Sequence, residues 1–507
     1  MQRTSQRSEP GPFRMYKEGS IPLAAIPLLS MCAFIALPLL WLGPQRALQL
    51  TLPVCAAWLV ILYASIRLGI LGLEGSKSLL TMTFLIFAYT FLGFVPLVQL
   101  TAASNSLVNR YSESLLVRAF GVVLSGMAAF DIGRSYLRLA PFSFIARRVF
   151  QERRVDAKRT LALGGISLIG LPLLISAFGG WQQLFLARAD RLQVVWSSTN
   201  SPDSQAALQI VYALMTTPIF IAFFAALALY RSRYSLDAIG AKRVGLGIVV
   251  LLGIVTLVIN NPVSTARFWV GTILLSVSFY LLRWRRRITI SIASLAITLL
   301  FLLVFPFADM FRYSLDVELG GVFSEKLETQ LVDKGDYDSY EQIVNSIAYV
   351  DRNGVSAGRQ LLGTALFWVP RSIWSGKPIP SGPLVAEFRG AENLNVSLPL
   401  WGEFFLDGDI LLVVVGFLLY GSFVGVIENR FDSAPETGLP TFAGLFVRIY
   451  AAYQFFLLRG PLLATAAYLT PVIFCIWFCT RRVREGLPAG SKTLQWPVSR
   501  EVPRQIV

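Results

Sequence analysis

Isolated arginines in short polar turns, with a few carboxylates near them in sequence, are the residues here whose types and spacing suit chemistry on an anionic substrate. From Arg352 to Ala386 there are four cations (Arg352, Arg359, Arg371 and Lys377) and no acid. Arg371 and Lys377 lie in the Pro/Gly-rich run Phe367-Trp-Val-Pro-Arg-Ser-Ile-Trp-Ser-Gly-Lys-Pro. A guanidinium there can grip a phosphate with two parallel donors, and a lysine adds a point charge. Further arginines close the turn Asn260-Asn-Pro-Val-Ser-Thr-Ala-Arg267, begin Arg459-Gly-Pro, and stand three apart at Arg188 and Arg191. Singly, each reads as a structural anchor or a headgroup contact. Together they read as a basic cavity for a lipid-linked anion. Glu403, just ahead of an apolar run, either serves as a base or pairs with an arginine and orients it. Gly335-Asp-Tyr-Asp has the Asp-x-Asp spacing that holds a divalent ion in many sugar-nucleotide transferases, although such a pair alone more often marks a solvated surface. No metal is expected.

What is missing narrows the chemistry. The 507 residues contain no histidine, which removes Ser-His-Asp triads, HExxH zinc chemistry and histidine general bases. The four cysteines, Cys32, Cys55, Cys475 and Cys479, all lie in apolar runs and make neither a disulfide framework nor a zinc site.

These residues must be positioned by membrane helices. Hydrophobic side chains make up 55% of the chain and charged ones 15%, with a mean hydropathy of +0.60. The apolar residues fall into runs long enough to cross about 30 Å of hydrocarbon. We expect an all-α polytopic membrane protein with twelve spans, near 21–42, 48–66, 79–98, 115–132, 161–178, 208–230, 244–259, 268–282, 288–306, 410–427, 439–457 and 462–480. The first reads as an anchor, not a cleaved signal peptide.

Charge sets the expected orientation. With the N-terminus inside, the dense basic clusters at Arg134–Arg159 and Arg283–Arg287 are cytoplasmic, whereas short outer loops carry only scattered arginines such as Arg46, Arg110 and Arg267. That asymmetry follows the positive-inside rule, accounts for the net charge of +15 and removes any need for nucleic acid. Both termini are then cytoplasmic. The long connections are a basic inner loop (133–160), an outer loop (179–207), a long outer loop (307–408) and a C-terminal tail (481–507). Arg448, inside an apolar run, must face the bundle interior and have a partner or a function.

The long outer loop changes sign along its length. Asp309 to Glu341 holds nine carboxylates; the basic half follows. Gly358 to Val369 predicts a short helix with Leu361, Leu362, Ala365, Leu366 and Val369 on one face, ending at Pro370. Phe367, Trp368 and Trp374 are types that settle at headgroup depth, so this helix is expected to lie on the outer membrane surface.

The Phe367–Pro378 run, followed by Asn395-Val-Ser-Leu-Pro-Leu-Trp-Gly-Glu, resembles the long periplasmic loop of Wzy-type O-antigen and exopolysaccharide repeat-unit polymerases. The Asn-Pro…Ala-Arg turn at 261–267 and the Arg-Gly-Pro turn at 459–461 also look like that family. Pro-Arg-x-x-Trp-x-x-Lys-Pro is the specific part; the rest is loose. The resemblance implies a bacterial inner-membrane, GT-C-like glycosyltransferase without cofactor. It would move a growing glycan from undecaprenyl diphosphate onto an incoming lipid-linked repeat unit, with a chain-length-regulating co-polymerase as a candidate partner. It further implies diphosphate binding by Arg371 and Lys377, then by Arg267 and Arg459; Arg188 and Arg191 join them by loop placement, and Arg359 and Trp374 are counted with them as substrate-binding residues. A diphosphate leaving group mainly needs cations to stabilise developing charge; Glu403 is the first candidate base and Asp336 or Asp338 the second.

A lipid-linked oligosaccharide flippase is the main non-enzyme rival, but it needs no outer loop of this length. O-antigen ligases depend, as a family, on a periplasmic histidine that this chain lacks. Secondary transporters usually show paired ionisable residues or broken helices in two halves, and no such pairing is visible.

Overall fold

A chain in lipid must satisfy its backbone internally, and the apolar runs do so as helices. The structure is a computed structural model and describes residues 21–75, 78–103, 106–137, 140–145, 153–177, 179–186, 202–232, 239–282, 287–306, 327–333, 335–369, 371–391, 396–433 and 439–482. The apolar helices are α1 (Ile21–Leu42), α2 (Leu52–Glu74), α3 (Leu79–Leu100), α4 (Glu113–Tyr136), α5 (Ala157–Ala177), α6 (Pro202–Arg231), α7 (Ile239–Ile259), α8 (Arg267–Leu281) and α9 (Arg287–Leu299). The long loop supplies α10 (Leu327–Asp333), α11 (Ser339–Asn353), α12 (Arg359–Ala365) and α13 (Ser381–Phe388), and the chain ends with α14 (Leu400–Ser433), α15 (Phe442–Arg459) and α16 (Leu462–Cys479). Eight of them, α1–α6, α14 and α16, contain stretches long and apolar enough to cross a membrane. Val244–Ile259, Arg267–Leu281 and Ile288–Val304 are apolar but shorter. The protein is thus a helical, multi-pass membrane protein.

Helix ends differ from the apolar runs where charge is matched internally. The second span was expected to stop before Arg67, yet α2 runs on to Glu74. Arg67 forks onto Asp131 of α4 at 2.8 and 2.9 Å, and Tyr63 donates to the same carboxylate. A paired guanidinium is far cheaper to hold among helices than a lone one.

At the centre, α3 is buried along its whole length. The most extensive helix contact among the described residues joins α4 to α14. A Cβ on Gly133 would lie 2.2 Å from the Leu418 carbonyl oxygen, and one on Gly421 would lie 2.1 Å from that of Phe130. Small residues permit this approach, as is usual between helices in lipid. Where α4 and α14 leave the crossing, Arg134 meets the buried Glu428 at 3.1 Å, and Glu428 also accepts from the Thr81 amide at the start of α3. Arg448 has the partners expected of it: carbonyls of Phe279 and Gly444, and the rings of Tyr280 and Phe431.

The bundle has two ends with different loops. At one, Arg153–Val155 (β1) pairs antiparallel with Thr480–Arg482 (β2), bringing the basic loop to the chain's last described residues. At the other, Arg46 bonds the Thr101 carbonyl, Arg110 meets Glu341, Arg118 meets Asp351, and Asn261 bonds the Leu184 carbonyl. Every connection named in that second group was expected to share one side of the membrane.

The long loop folds over this second end. Helix α11 buries Ile343, Val344 and Ile347 and stacks Tyr340 on Phe120 of α4 at 4.2 Å. Helix α14 is broken at Gly408 and Asp409 (φ 54°, ψ −160°), where the sequence passes from the loop to the predicted span at 410. Residues 307–326, with much of the acidic half, lie outside the described residues, as do 483–507.

Candidate functional site

The segment Gly335-Asp-Tyr-Asp is positioned by the tyrosine between its two carboxylates. Tyr337 is buried, its ring 5.6 Å from that of Phe91 and its hydroxyl bonded to the Phe301 carbonyl. Gln99, at the end of α3, donates to the carbonyls of Leu331 and Tyr337 at 2.9 and 3.2 Å. With the tyrosine held inward, the flanking carboxylates meet two arginines from separate turns. Arg267 Nη1 lies 2.8 Å from Asp336 Oδ2 and Nη2 donates to Oδ1 at 3.1 Å. Its guanidinium also covers the Phe305 ring at 5.2 Å. Arg459 donates to the carbonyls of Gly335 at 2.8 Å and Asp336 at 3.1 Å, and to Asp338 Oδ1 at 3.4 Å.

Arg459 is fixed by the turn after it. Gly460 has φ 79°, and a Cβ there would fall 1.7 Å from the Leu398 carbonyl oxygen. Only glycine fits a left-handed position pressed against backbone.

Beside this cluster opens a cleft of about 500 Å³, whose polar lining includes Arg110, Tyr111, Asp338, Glu341, Asn345 and Arg389. Arg110 pairs with Glu341 at 2.5 Å; the Tyr111 hydroxyl bonds Glu341 and Asn345 at 2.8 Å each. Arg389 lies over the Tyr111 ring at 5.1 Å, and among the described residues it has no carboxylate partner. Burial and the Glu341 charge push the Tyr111 phenol up, so it stays a hydroxyl. Burial pushes the Asp338 carboxyl up to about 6; Arg459 opposes the rise, and Glu341 and Asp336 add to it. The cleft thus offers cations at its rim, hydroxyl and amide groups inside, and one carboxylate that exchanges a proton near neutral pH.

The other expected site residues are placed elsewhere. Glu403 is buried: Oε1 accepts from the Leu462 amide at 3.0 Å and Oε2 from the Ser381 hydroxyl. Of the two roles considered for it, pairing with an arginine is not seen among the described residues. Glu403 instead joins the start of α13 to the start of α16, where free amide donors favour a carboxylate.

Arg359, Arg371 and Lys377 form a separate mesh. Arg371 Nη1 and Nη2 donate to the carbonyls of Lys377 (2.8 Å) and Pro378 (3.0 Å). Lys377 Nζ donates to those of Phe367 and Val369 at 2.8 Å, and Arg359 Nη2 to that of Gly376 at 2.7 Å. Burial and the charge of Arg371 lower the Lys377 ammonium below its usual value. The side chains expected to grip phosphate therefore hold their own turn together, with Trp374 half-buried inside it and its carbonyl accepting from the Lys377 amide. Among the described residues no bond joins this mesh to the Arg267–Arg459 cluster. Helix α12 ends at Ala365, earlier than expected, because its last turn gives way to turns closed by those cations; Pro370 lies outside the described residues. So do Arg188 and Arg191.

Sequence reading missed Arg110, Tyr111, Glu341, Asn345 and Arg389 as site residues. The i, i+4 pair Glu341 and Asn345 on one face of α11 was the available signal, but only the fold brings it to Tyr111. No family model, characterised protein or solved structure matches the chain.

Proposed function

We propose that this protein polymerises lipid-linked oligosaccharide repeat units at the outer face of a bacterial inner membrane. The reading has twelve spans in a GT-C-like arrangement, cytoplasmic termini, and the face formed by the long loop turned outward. The observation that carries it is the convergence of Arg267 and Arg459, from two separate turns, on Asp336 and Asp338 beside an open polar cleft. An anionic, hydroxyl-rich substrate suits such a lining.

In this reading the acceptor hydroxyl attacks the anomeric carbon of the growing glycan. The bond from that carbon to the diphosphate breaks, undecaprenyl diphosphate leaves with the bonding pair, and the hydroxyl proton passes to Asp338. Arg110 and Arg389 at the rim, with Arg459 behind, stabilise charge developing on the diphosphate. The base role moves from Glu403 to Asp338 because Glu403 is buried with each oxygen already accepting a hydrogen bond, whereas Asp338 lines the cleft. Arg359, Arg371 and Lys377 shape the loop. The missing histidine disfavours a ligase-type transfer.

The test uses cells that make the glycan, with the gene deleted and then restored as wild type or Asp338→Asn. Deletion should collapse long chains to single surface units, and Asp338→Asn, inserted normally, should fail to restore them. Single units accumulating on the cytoplasmic side after deletion would point to a flippase instead.

A further inference from the structure

Residues 355–379 carry an apolar exterior that nothing among the described residues covers. Ile373 is 78% exposed, Trp368 69%, Leu362 51% and Ile379 47%. Large apolar side chains exposed together on one short segment mark a contact with a partner or a membrane.

The cations of the same segment bond its own backbone. Five backbone carbonyls (Phe367, Val369, Gly376, Lys377 and Pro378) accept from the three cations of the mesh. The N-terminus of α12 is closed too: the amides of Gln360 and Leu361 donate to the buried Asp407 at 3.1 and 2.7 Å, and the Ser356 amide to the Leu406 carbonyl at 2.8 Å. Gly363 lets the turn fold back on the helix, since a Cβ there would meet Pro378 at 2.6 Å. In water an irregular turn needs no such provision, because solvent takes its carbonyls. Lipid offers no such partner, so an irregular turn stays out of the hydrocarbon proper, and at its boundary with the headgroups internal donors to its carbonyls are an advantage.

Position agrees with that construction. Helix α12 packs against α16, one of the helices apolar and long enough to cross a membrane. No acid occurs from Arg352 to Ala386, so the segment presents only positive charge to an anionic lipid surface.

We propose that residues 361–379 form a wedge seated in the bilayer at the acyl–headgroup boundary, with Leu362, Trp368, Ile373 and Ile379 in lipid and Arg359, Arg371 and Lys377 on the headgroup side, bonding carbonyls of its turns. The occupant of this apolar face is the membrane itself. This assignment does not depend on which reaction the protein performs.

Site-directed labelling in nanodiscs of phosphatidylethanolamine and phosphatidylglycerol tests it. The full chain, with its four cysteines replaced, would carry a single Trp368→Cys, Ile373→Cys or, as an exposed polar control, Glu387→Cys. A charged maleimide should label Glu387→Cys but not the other two until detergent denatures the sample. An uncharged bimane probe at Ile373→Cys should be quenched by brominated acyl chains, and the same probe at Glu387→Cys should not. Labelling of Ile373→Cys as fast as Glu387→Cys would overturn the proposal. Protection without quenching by brominated lipid would also overturn it, and would point to a protein covering the face.

Discussion

Arg267 clasps Asp336 with both terminal nitrogens, at 2.8 and 3.1 Å, although Arg267 begins α8 and Asp336 lies in the long loop, 69 positions away. Both side chains are mostly buried, at 14% and 15% exposure. The pair thereby fixes one end of the tyrosine-centred segment that carries Asp338 into the cleft.

Removing either partner should leave the other charge stranded. We expect Arg267→Gln and Asp336→Asn each to destabilise the protein, and the double variant to lose less than the sum. A coupling of about 1–3 kcal/mol in a double-mutant cycle is the anticipated size, since neighbouring charges share their effects. Thermal melts of the four purified proteins measure it; simple additivity would mean the clasp holds nothing.

The pH profile should report Asp338. Its carboxyl is pushed up to about 6, so a base at this position gains its charge as pH rises through about 6. Polymerisation should therefore increase across that range and level off above it. Asp338→Asn should lower the rate by roughly 10²–10⁴, the usual worth of a positioned base, and flatten the profile. Stability runs the other way. The folded value lies above the roughly 3.9 of an unfolded aspartate, so the native state holds this proton more tightly and Asp338 makes stability fall between about pH 4 and 6. Melting temperatures of wild type and Asp338→Asn across that window check the sign.

Two arginines of the long loop should respond differently. Arg389→Gln should raise KM for the lipid-linked donor by about 10- to 100-fold, the value of one charge-assisted hydrogen bond to a phosphate. Arg371→Gln should leave KM close to wild type while speeding amide hydrogen exchange across residues 371–379. A KM effect confined to Arg371→Gln would return the diphosphate to that turn.

Within α4, two glycines make a matched test of the fold. Gly133→Ala drives a methyl into the Leu418 carbonyl and should abolish correctly folded protein on size exclusion. Gly121→Ala meets nothing within 4 Å and should fold, gaining up to about 1 kcal/mol from helix propensity. Equal behaviour of the two would contradict the close crossing of α4 and α14.

The fold was legible wherever a single run of residues decides it. Apolar runs gave the helices, and the passage from loop to span at 410 falls on the break at Gly408 and Asp409. Arg448 was rightly expected to have partners. Helix ends were missed where pairing is distant, as with Arg67 and Asp131, because a lone arginine in sequence looks like a boundary. The site was legible in part. Arg267 and Arg459 were singled out from their turns, and Asp336 and Asp338 from their spacing, but their union depends on Tyr337 packing on Phe91, which no local pattern shows. Arg371 and Lys377 carry the right charge for phosphate; only geometry reveals that carbonyls of their own turn also accept from them.

Reconstitution tests the central claim most directly. Purified protein in liposomes would be given undecaprenyl-diphosphate-linked repeat units and the products resolved by size. Wild type should build a ladder of glycans spaced by one repeat unit and release undecaprenyl diphosphate; Arg459→Ala and Asp338→Asn, folded and inserted, should leave single units. Lipid-linked units crossing the bilayer unchanged, or a ladder built equally well by Asp338→Asn and Arg459→Ala, would contradict the account.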